Sequence, residues 1–537
     1  MQSIIKTVIE MTKASKRILS LYMLFTACFM AILLRIVYIN FSTYATASQK
    51  QSARTVVVGT TRGKIYDRNR ELLVDESSRL VAAVTPTPSA KQYISGYFSD
   101  GTMTEKIEKG YPFVAAVNKE INNELIKTFT VPVRYSKNSL ASHVVGYVDS
   151  SGRGVTGVEG AFEKLLSGYS GKLSVSFEVN AVGRVLAGMD KTVISDNYNC
   201  QGGVMLTLDR RIQLITEEAL KKSSIKSGCA VVMKADSGDI LALSSVPDFD
   251  RGNVEAFLDK ENSPLMNKAL SSYSAGSVFK SIIAAFALEN GISEGFSHEC
   301  EGELKIGDRT FSCYDGSVHG EVDMAKALQK SCNTYFIKLI EELDTEKLID
   351  FCGRLGFGRS ISLCEKIVSE EGILPDEISL GIKASRANFA FGQGDLLVTP
   401  LQMLKAYHVI ATGTVVEPRL IYGFCDEKGN INLESIKKGQ KLLSDATVEK
   451  MRQMLFDVTE NGIATGAKSD VLKLAGKTGT AQSGIYSEGG EELLRTWFAG
   501  FYPADEPSYI VVVMSEDGVG GNVDCAPVFR EICEGVG

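Results

Sequence analysis

The sequence predicts an α+β protein behind one N-terminal transmembrane helix, and three patterns predict it. An apolar run from Ile18 to Leu34 continues past Arg35 as Ile-Val-Tyr-Ile. Strand-like stretches open the region after about Gly202 and close the chain, as in GCAVVMKADSGDILALSSV and PSYIVVVM. Helical periodicity fills the middle, from Met324 to about Gln402. Two strands early and three late are expected to form one antiparallel sheet with helices on both sides.

Lys6, Lys13, Lys16 and Arg17 precede the apolar run, so the positive-inside rule assigns the tail, residues 1–16, to the cytoplasm. The anchor is expected at 17–39, with Arg35 snorkelling at one end, because about 22 residues suffice to span a bilayer. The remainder is then extracellular and attached to the cell membrane by a single pass. A cleaved signal peptide competes, since Ala45-Thr46-Ala47 resembles a cleavage site, but the apolar segment is longer than a usual signal core. Residues 40–200 mix short β-type runs such as RTVVVGT and GKLSVSFEV with polar loops. From 201 to 537 the pattern becomes that of the sheet domain. VMLTLDRRIQLITEEALKK reads as a strand entering an amphipathic helix, and Asp236-Ser237-Gly238-Asp239 joins two β-rich runs as a hairpin turn.

Composition narrows the function classes. The net charge is −7 and no basic cluster follows the N-terminus, so nucleic acid is not an expected partner. His143, His298, His319 and His408 have no metal-ligand spacing, and none of the eleven cysteines forms a CxxC pair. Neither a metal nor a cofactor is expected. Cys300 and Cys313 bracket a short turn-rich segment and could pair outside the membrane; most other cysteines read as free buried thiols.

The chemistry enters at SYSAGSVFKSIIAAFALENG, which starts at Ser272. Lys280 sits inside an almost wholly apolar helix, three positions after Ser277, so the two share a face of its first turn. A serine hydroxyl needs an adjacent base, and a lysine serves as one only where burial or a second cation lowers its pKa. The positive end of the helix dipole favours a developing oxyanion at the same place. S-x-x-K alone is a weak signal. Ser331-Cys332-Asn333, between two helical patterns, and Lys477-Thr478-Gly479-Thr480, after the strand-like VLKLAG, complete the ordered set S-x-x-K, S-x-N, K-T-G of penicillin-recognising serine acyltransferases.

On these motifs the chain resembles the class B, monofunctional penicillin-binding proteins. The likeness extends to RGKIYDRN from Arg62, GVEGAFEKLLSGYSG, PDFD, FGQGDLLVTPLQM and TWFAGFYP. Arg70 stands where the family often has glycine, and Ala275 where proline often precedes the Gly-Ser pair. The resemblance implies a pedestal or dimerisation-like domain at 40–200 and a penicillin-binding transpeptidase domain at 201–537. It implies that Ser277 attacks a terminal D-alanyl-D-alanine bond of peptidoglycan stem peptides while Lys280 accepts its proton. Ser331 would relay a proton to the leaving amine, and Lys477 would hold positive potential nearby. Asn333 would bind the substrate amide, and Thr478 and Thr480 the terminal carboxylate. Gly479 would let substrate lie against the strand. The N–H groups of Ser277 and Thr480 would form an oxyanion hole, at about 3 kcal/mol per donor. β-Lactams are implied as covalent inhibitors of Ser277, and a SEDS-family glycan polymerase as a membrane partner.

Two other motifs compete. Gly152-Arg153-Gly154-Val155-Thr156-Gly157 fits a dinucleotide fingerprint, but no βαβ series continues from it. Gly476-Lys477-Thr478 resembles the end of a phosphate loop, yet Val471 stands where glycine is required. Within the serine acyltransferases the alternatives are a weakly catalytic penicillin-binding scaffold and a β-lactam-hydrolysing or sensing relative. No helix motif supplies the water-activating glutamate of a lactamase.

Overall fold

The computed structural model describes residues 13–41, 52–94, 102–186, 188, 190–292, 295–486, 489–490 and 492–537. Lys6 and the Ala45-Thr46-Ala47 stretch lie outside the described residues. Helix α1 runs Lys13–Phe41, and its apolar part, Ser15–Ile39, has a mean hydropathy of 2.0 with none of it buried in protein. At 1.5 Å per residue those 25 residues reach about 38 Å, more than the ~30 Å hydrocarbon core of a bilayer. This is a helix long and apolar enough to cross a membrane.

The chain divides into two compact units. The smaller comprises α1 with residues 52–61, 78–132 and 171–198. It holds an antiparallel sheet of Ala53–Thr61, Gly171–Glu178 and Thr192–Asp196, and a second in which Ser77–Val84 lies between Phe113–Val117 and Ile126–Val133. Val58, Val81, Ala83, Val131, Val175 and Phe177 form one apolar cluster there.

The larger unit takes in Arg62–Ser77 and Val133–Ser170, which the sequence reading grouped with the 40–200 region, together with Asn199–Gly537. Buried charge pairing ties these segments to one another. Glu159, wholly buried, binds Arg62 Nε at 2.9 Å and Arg134 Nη2 at 2.7 Å, and accepts from Tyr135 Oη at 2.9 Å. Asp75 adds Lys64 at 2.9 Å and Arg134 at 3.2 Å. The strand Lys64–Tyr66 then pairs parallel with Gly203–Leu206. RGKIYDRN and GVEGAFEK are therefore two halves of one ion-pair cluster. Glu159→Ala leaves two guanidiniums without their shared counter-charge and is expected to cost about 3–5 kcal/mol. Urea unfolding measures this, and an unchanged midpoint would refute it. Arg70 adopts φ +68°, the left-handed region that glycine enters without strain.

Within the larger unit, helix α2 (Arg210–Lys222) is capped by Asp209, which accepts from the N–H groups of Arg211 and Ile212. The hairpin strands β1 (Gly228–Lys234) and β2 (Ile240–Val246) follow, each buried along nearly its whole length. Helix α3 (Lys280–Glu289) is buried on every side from Lys280 to Ala287, which places it at the centre of the core. Helices α4 (Met324–Lys330) and α5 (Asn333–Glu341) carry the second motif on the turn between them. Helix α6 (Pro400–Thr412) starts on a Thr399–Gln402 capping box and ends at Gly413, φ +76°, extending the helical middle beyond Gln402. Strands β3 (Ala475–Tyr486), β4 (Glu492–Tyr502) and β5 (Tyr509–Gly518) and helix α7 (Cys525–Val536) complete the chain.

The five strands form the expected antiparallel sheet in the order β2-β1-β5-β4-β3, so β3 is an edge strand. Alternation along β4 separates its two faces. Phe498 meets Phe529 of α7 with ring centroids 4.4 Å apart, and Thr496 reaches Asp524 at 3.3 Å. Trp497 points the other way and donates from Nε1 to Ser274 O at 2.9 Å. Helices thus cover both faces, and the nucleophile segment lies on the Trp497 side.

Candidate active site

Ser277 lies on a 3-10 turn, Gly276–Phe279, that feeds directly into α3. Gly276 adopts φ +62°, and a Cβ there would stand 2.7 Å from Thr480 O. Any side chain would therefore push the turn away from β3. The Gly276 N–H donates to Gly392 O at 2.8 Å, and the wholly buried Trp497 holds Ser274, two residues earlier. A Cβ at Gly479 would meet Ala275 O at 2.9 Å and Val278 Cγ1 at 3.0 Å. The bare backbone at 479 thus serves the approach of the nucleophile turn to the strand.

The lysine inside the apolar helix has partners. Lys280 is fully buried, and its Nζ donates to Ser331 O at 2.7 Å, Ser331 Oγ at 3.2 Å and Asn333 Oδ1 at 2.6 Å. Those contacts use all three donors of an ammonium. Lys477, also fully buried, donates to the same Ser331 Oγ at 3.1 Å and to Thr478 O at 3.2 Å. Burial pushes the Lys280 ammonium down to about 7, with the Cys332 and Cys313 thiols opposing the shift. Burial, followed by repulsion from Lys280, holds Lys477 well below the ordinary lysine range. Two desolvated amines on one oxygen disfavour a state in which both are charged.

Ser331 occupies the left-handed region, φ +55°, where it ends α4. A non-glycine residue held there costs about 1–2 kcal/mol, a strain typical of functional positions. The reversal lets Asn333 begin α5 and aim its amide back: Nδ2 donates to Ser312 O at 2.8 Å while Oδ1 receives Lys280. Ser277, Ser331, Asn333, Thr478 and Thr480 line one cleft of about 1430 Å³. Lys280, Lys477 and Gly479 are buried beside it. The three motifs, far apart in the chain, thus meet around a single cleft.

Residues outside the three catalytic motifs contribute as well. Gly521 donates its N–H to Thr480 Oγ1 at 3.3 Å, and Asp524 Oδ2 fixes that turn by accepting from the N–H groups of Val519 and Gly520 at 2.8 Å each. The sequence reads Asp517–Gly521 as a plain turn, although its glycine richness was a signal. Trp497 reads as core packing, and its hydrogen bond to Ser274 gives it a second task. His319 lines the cleft, with Nδ1 3.3 Å from Cys300 Sγ. The Gly154 N–H of the dinucleotide-like run is taken by the Glu163 carboxylate at 2.6 Å.

A serine at a helix start, two desolvated amines and a sheet edge around one cleft define a serine acyltransferase site. Residues 228–534 match the family model described as the penicillin binding protein transpeptidase domain. The chain belongs to this family and is a serine-type D-Ala-D-Ala transpeptidase. It is 28 % identical to stage V sporulation protein D of Bacillus subtilis over 96 % of this chain and 84 % of the relative. It is 26 % identical to the peptidoglycan D,D-transpeptidase MrdA of Acinetobacter baumannii, over 92 % and 83 %. Penicillin-binding protein 3 of Mycobacterium tuberculosis, solved with aztreonam, superposes with a TM-score of 0.64 at 24 % identity, over 90 % of this chain and 96 % of that one. At that identity the superposition speaks for the fold alone.

Proposed function

We propose that Ser277 is the nucleophile and Lys280 its base in the cross-linking of peptidoglycan stem peptides. Deprotonation leaves Lys280 with two N–H donors and a lone pair, which accepts the Ser277 proton as Oγ bonds to the penultimate D-alanine carbonyl. Collapse of the tetrahedral adduct breaks the peptide bond, and the departing D-alanine amine takes a proton through Ser331. An amine from a second stem peptide then loses its proton to the same base, attacks the ester and frees Ser277, leaving an amide cross-link. The carrying observation is Ser331 Oγ, held at 3.2 Å by Lys280 and 3.1 Å by Lys477 in the wall of the cleft that Ser277 lines.

The oxyanion hole of Ser277 and Thr480 N–H groups has a geometric support. Thr480 O faces the Gly276 position, away from β4, and within a strand a residue's N–H and C=O share a side. The Thr480 N–H is thus on the open edge. Lys477, Thr478 and Thr480 would receive the terminal carboxylate there, and Asn333 retains one N–H and one lone pair for the substrate amide. A β-lactam enters as donor mimic and is retained as an ester.

Helix α1 is the proposed single-pass anchor, its basic N-terminal side cytoplasmic and the catalytic unit extracellular. The smaller unit, with α1, would then dock a SEDS-family glycan polymerase. One reconstitution tests activity and anchoring together: vesicles holding the full-length chain, such a polymerase and its lipid-linked disaccharide-pentapeptide. Released D-alanine and cross-linked muropeptides are expected, with lower yield from a chain starting after residue 40. No D-alanine release would overturn the reaction; equal yields would overturn the docking role of α1.

A further inference from the structure

Beside the cleft, three thiols and one imidazole converge from four separate segments. Cys300 ends the short strand His298–Cys300, and His319 immediately precedes its partner strand, Gly320–Val322. Cys313 follows the hairpin of Glu303–Ile306 and Arg309–Ser312, and Cys332 sits between Ser331 and Asn333 on the turn from α4 to α5. One ligand atom from each lies within 4.8 Å of all the others.

We propose that Cys300, Cys313, His319 and Cys332 form a structural zinc site that braces the Ser331–Asn333 turn. The spacing fits. Zinc–sulfur bonds of about 2.3 Å in a tetrahedron put the sulfurs about 3.8 Å apart. Cys300 and Cys313 Sγ are 3.7 Å apart, Cys313 and Cys332 Sγ 3.8 Å, and Cys300 Sγ is 3.3 Å from His319 Nδ1. A sulfur–sulfur bond needs about 2.0 Å, so this spacing is that of co-ligands rather than of a bonded pair. The donor set, three soft thiolates and one imidazole with all three sulfurs buried, is a Cys₃His set that selects zinc and leaves no open position for water. Binding displaces the thiol protons to solvent and leaves the site with a net single negative charge.

Two ligands flank the residues that orient Lys280. Cys332 is bonded in sequence to both Ser331 and Asn333, and Cys313 follows Ser312, whose carbonyl accepts Asn333 Nδ2 at 2.8 Å. Four covalently separate segments pinned to one ion would hold the left-handed Ser331 and the Asn333 amide against the strain of that turn. His319 is thereby a ligand rather than a base. The ligands are spread too widely along the chain for any zinc-finger spacing, which is why the sequence suggested none.

The test uses the full-length chain, purified in detergent without chelator. About one zinc per chain is expected by elemental analysis, surviving gel filtration. Exchange with cobalt(II) should give thiolate charge-transfer absorption and the intense visible bands of a tetrahedral site. Cys300→Ser and His319→Ala should each weaken zinc retention by about tenfold or more in competition with a chromophoric chelator, while Cys364→Ser, outside the cluster, retains it. The wild-type cobalt spectrum decides the matter even if a variant fails to fold. Wild-type chain that still reacts with fluorescent penicillin but holds no zinc and gives no cobalt bands would overturn the proposal. Equal retention in Cys300→Ser and His319→Ala would do the same, as would a Cys300–Cys313 disulfide in alkylated, unreduced protein.

Discussion

Ser277→Ala abolishes covalent labelling by a fluorescent penicillin, a loss of about 10⁴-fold or more in acylation rate. Removing a nucleophile disables the whole catalytic unit, because base and oxyanion donors then have nothing to activate. Ser277 is partly exposed in the cleft wall and the change removes a single hydroxyl, so stability should stay within about 0.5 kcal/mol of the parent. Gel fluorescence after denaturation reads the first quantity and urea unfolding the second. Persistent label on a folded Ser277→Ala chain would place the nucleophile elsewhere.

Acylation of Ser277 by a slow β-lactam should accelerate with pH through a midpoint near 7, where burial sets Lys280. The sign follows from the role: deprotonation creates the base, so the rate is full above the midpoint. Below it, each pH unit removes about tenfold of the neutral amine and of the rate. Because Lys477 is depressed too and the amines share one oxygen, the observed midpoint belongs to the pair. Stopped-flow acylation across about one and a half units either side of 7 measures it, and a flat profile would remove Lys280 from the role of base. Lys280→Met should lower the plateau by about 10²–10⁴-fold and abolish the dependence.

The nucleophile segment and the sheet were legible because their signals are local. An ammonium within an apolar helix and two β-rich runs around Ser237-Gly238 announce themselves within about twenty residues. What escaped depends on partners distant in sequence. Arg62 and Glu159 carry no local signal of each other, yet across 97 positions they form a buried ion pair within the larger unit. Gly479 read as an allowance for substrate, but its missing side chain faces Ala275 and Val278. Cys300, Cys313, His319 and Cys332 carry no periodic or motif signal and meet only because two short ribbons fold against the second-motif turn.

The outer position of β3 has a consequence for self-association. A border strand with vacant amide groups will accept any extended chain, a second copy of this protein included, unless something discourages it. Here the pairing with β4 breaks register between Gln482 and Tyr486, and Gly484 takes φ +70°. Such an irregularity coils the exposed half of the ribbon away from a straight template. The pairing stays in register from Ala475 to Gln482, a stretch about the length of a short peptide tail. Straightening the ribbon by deleting the irregularity would trade selectivity for aggregation.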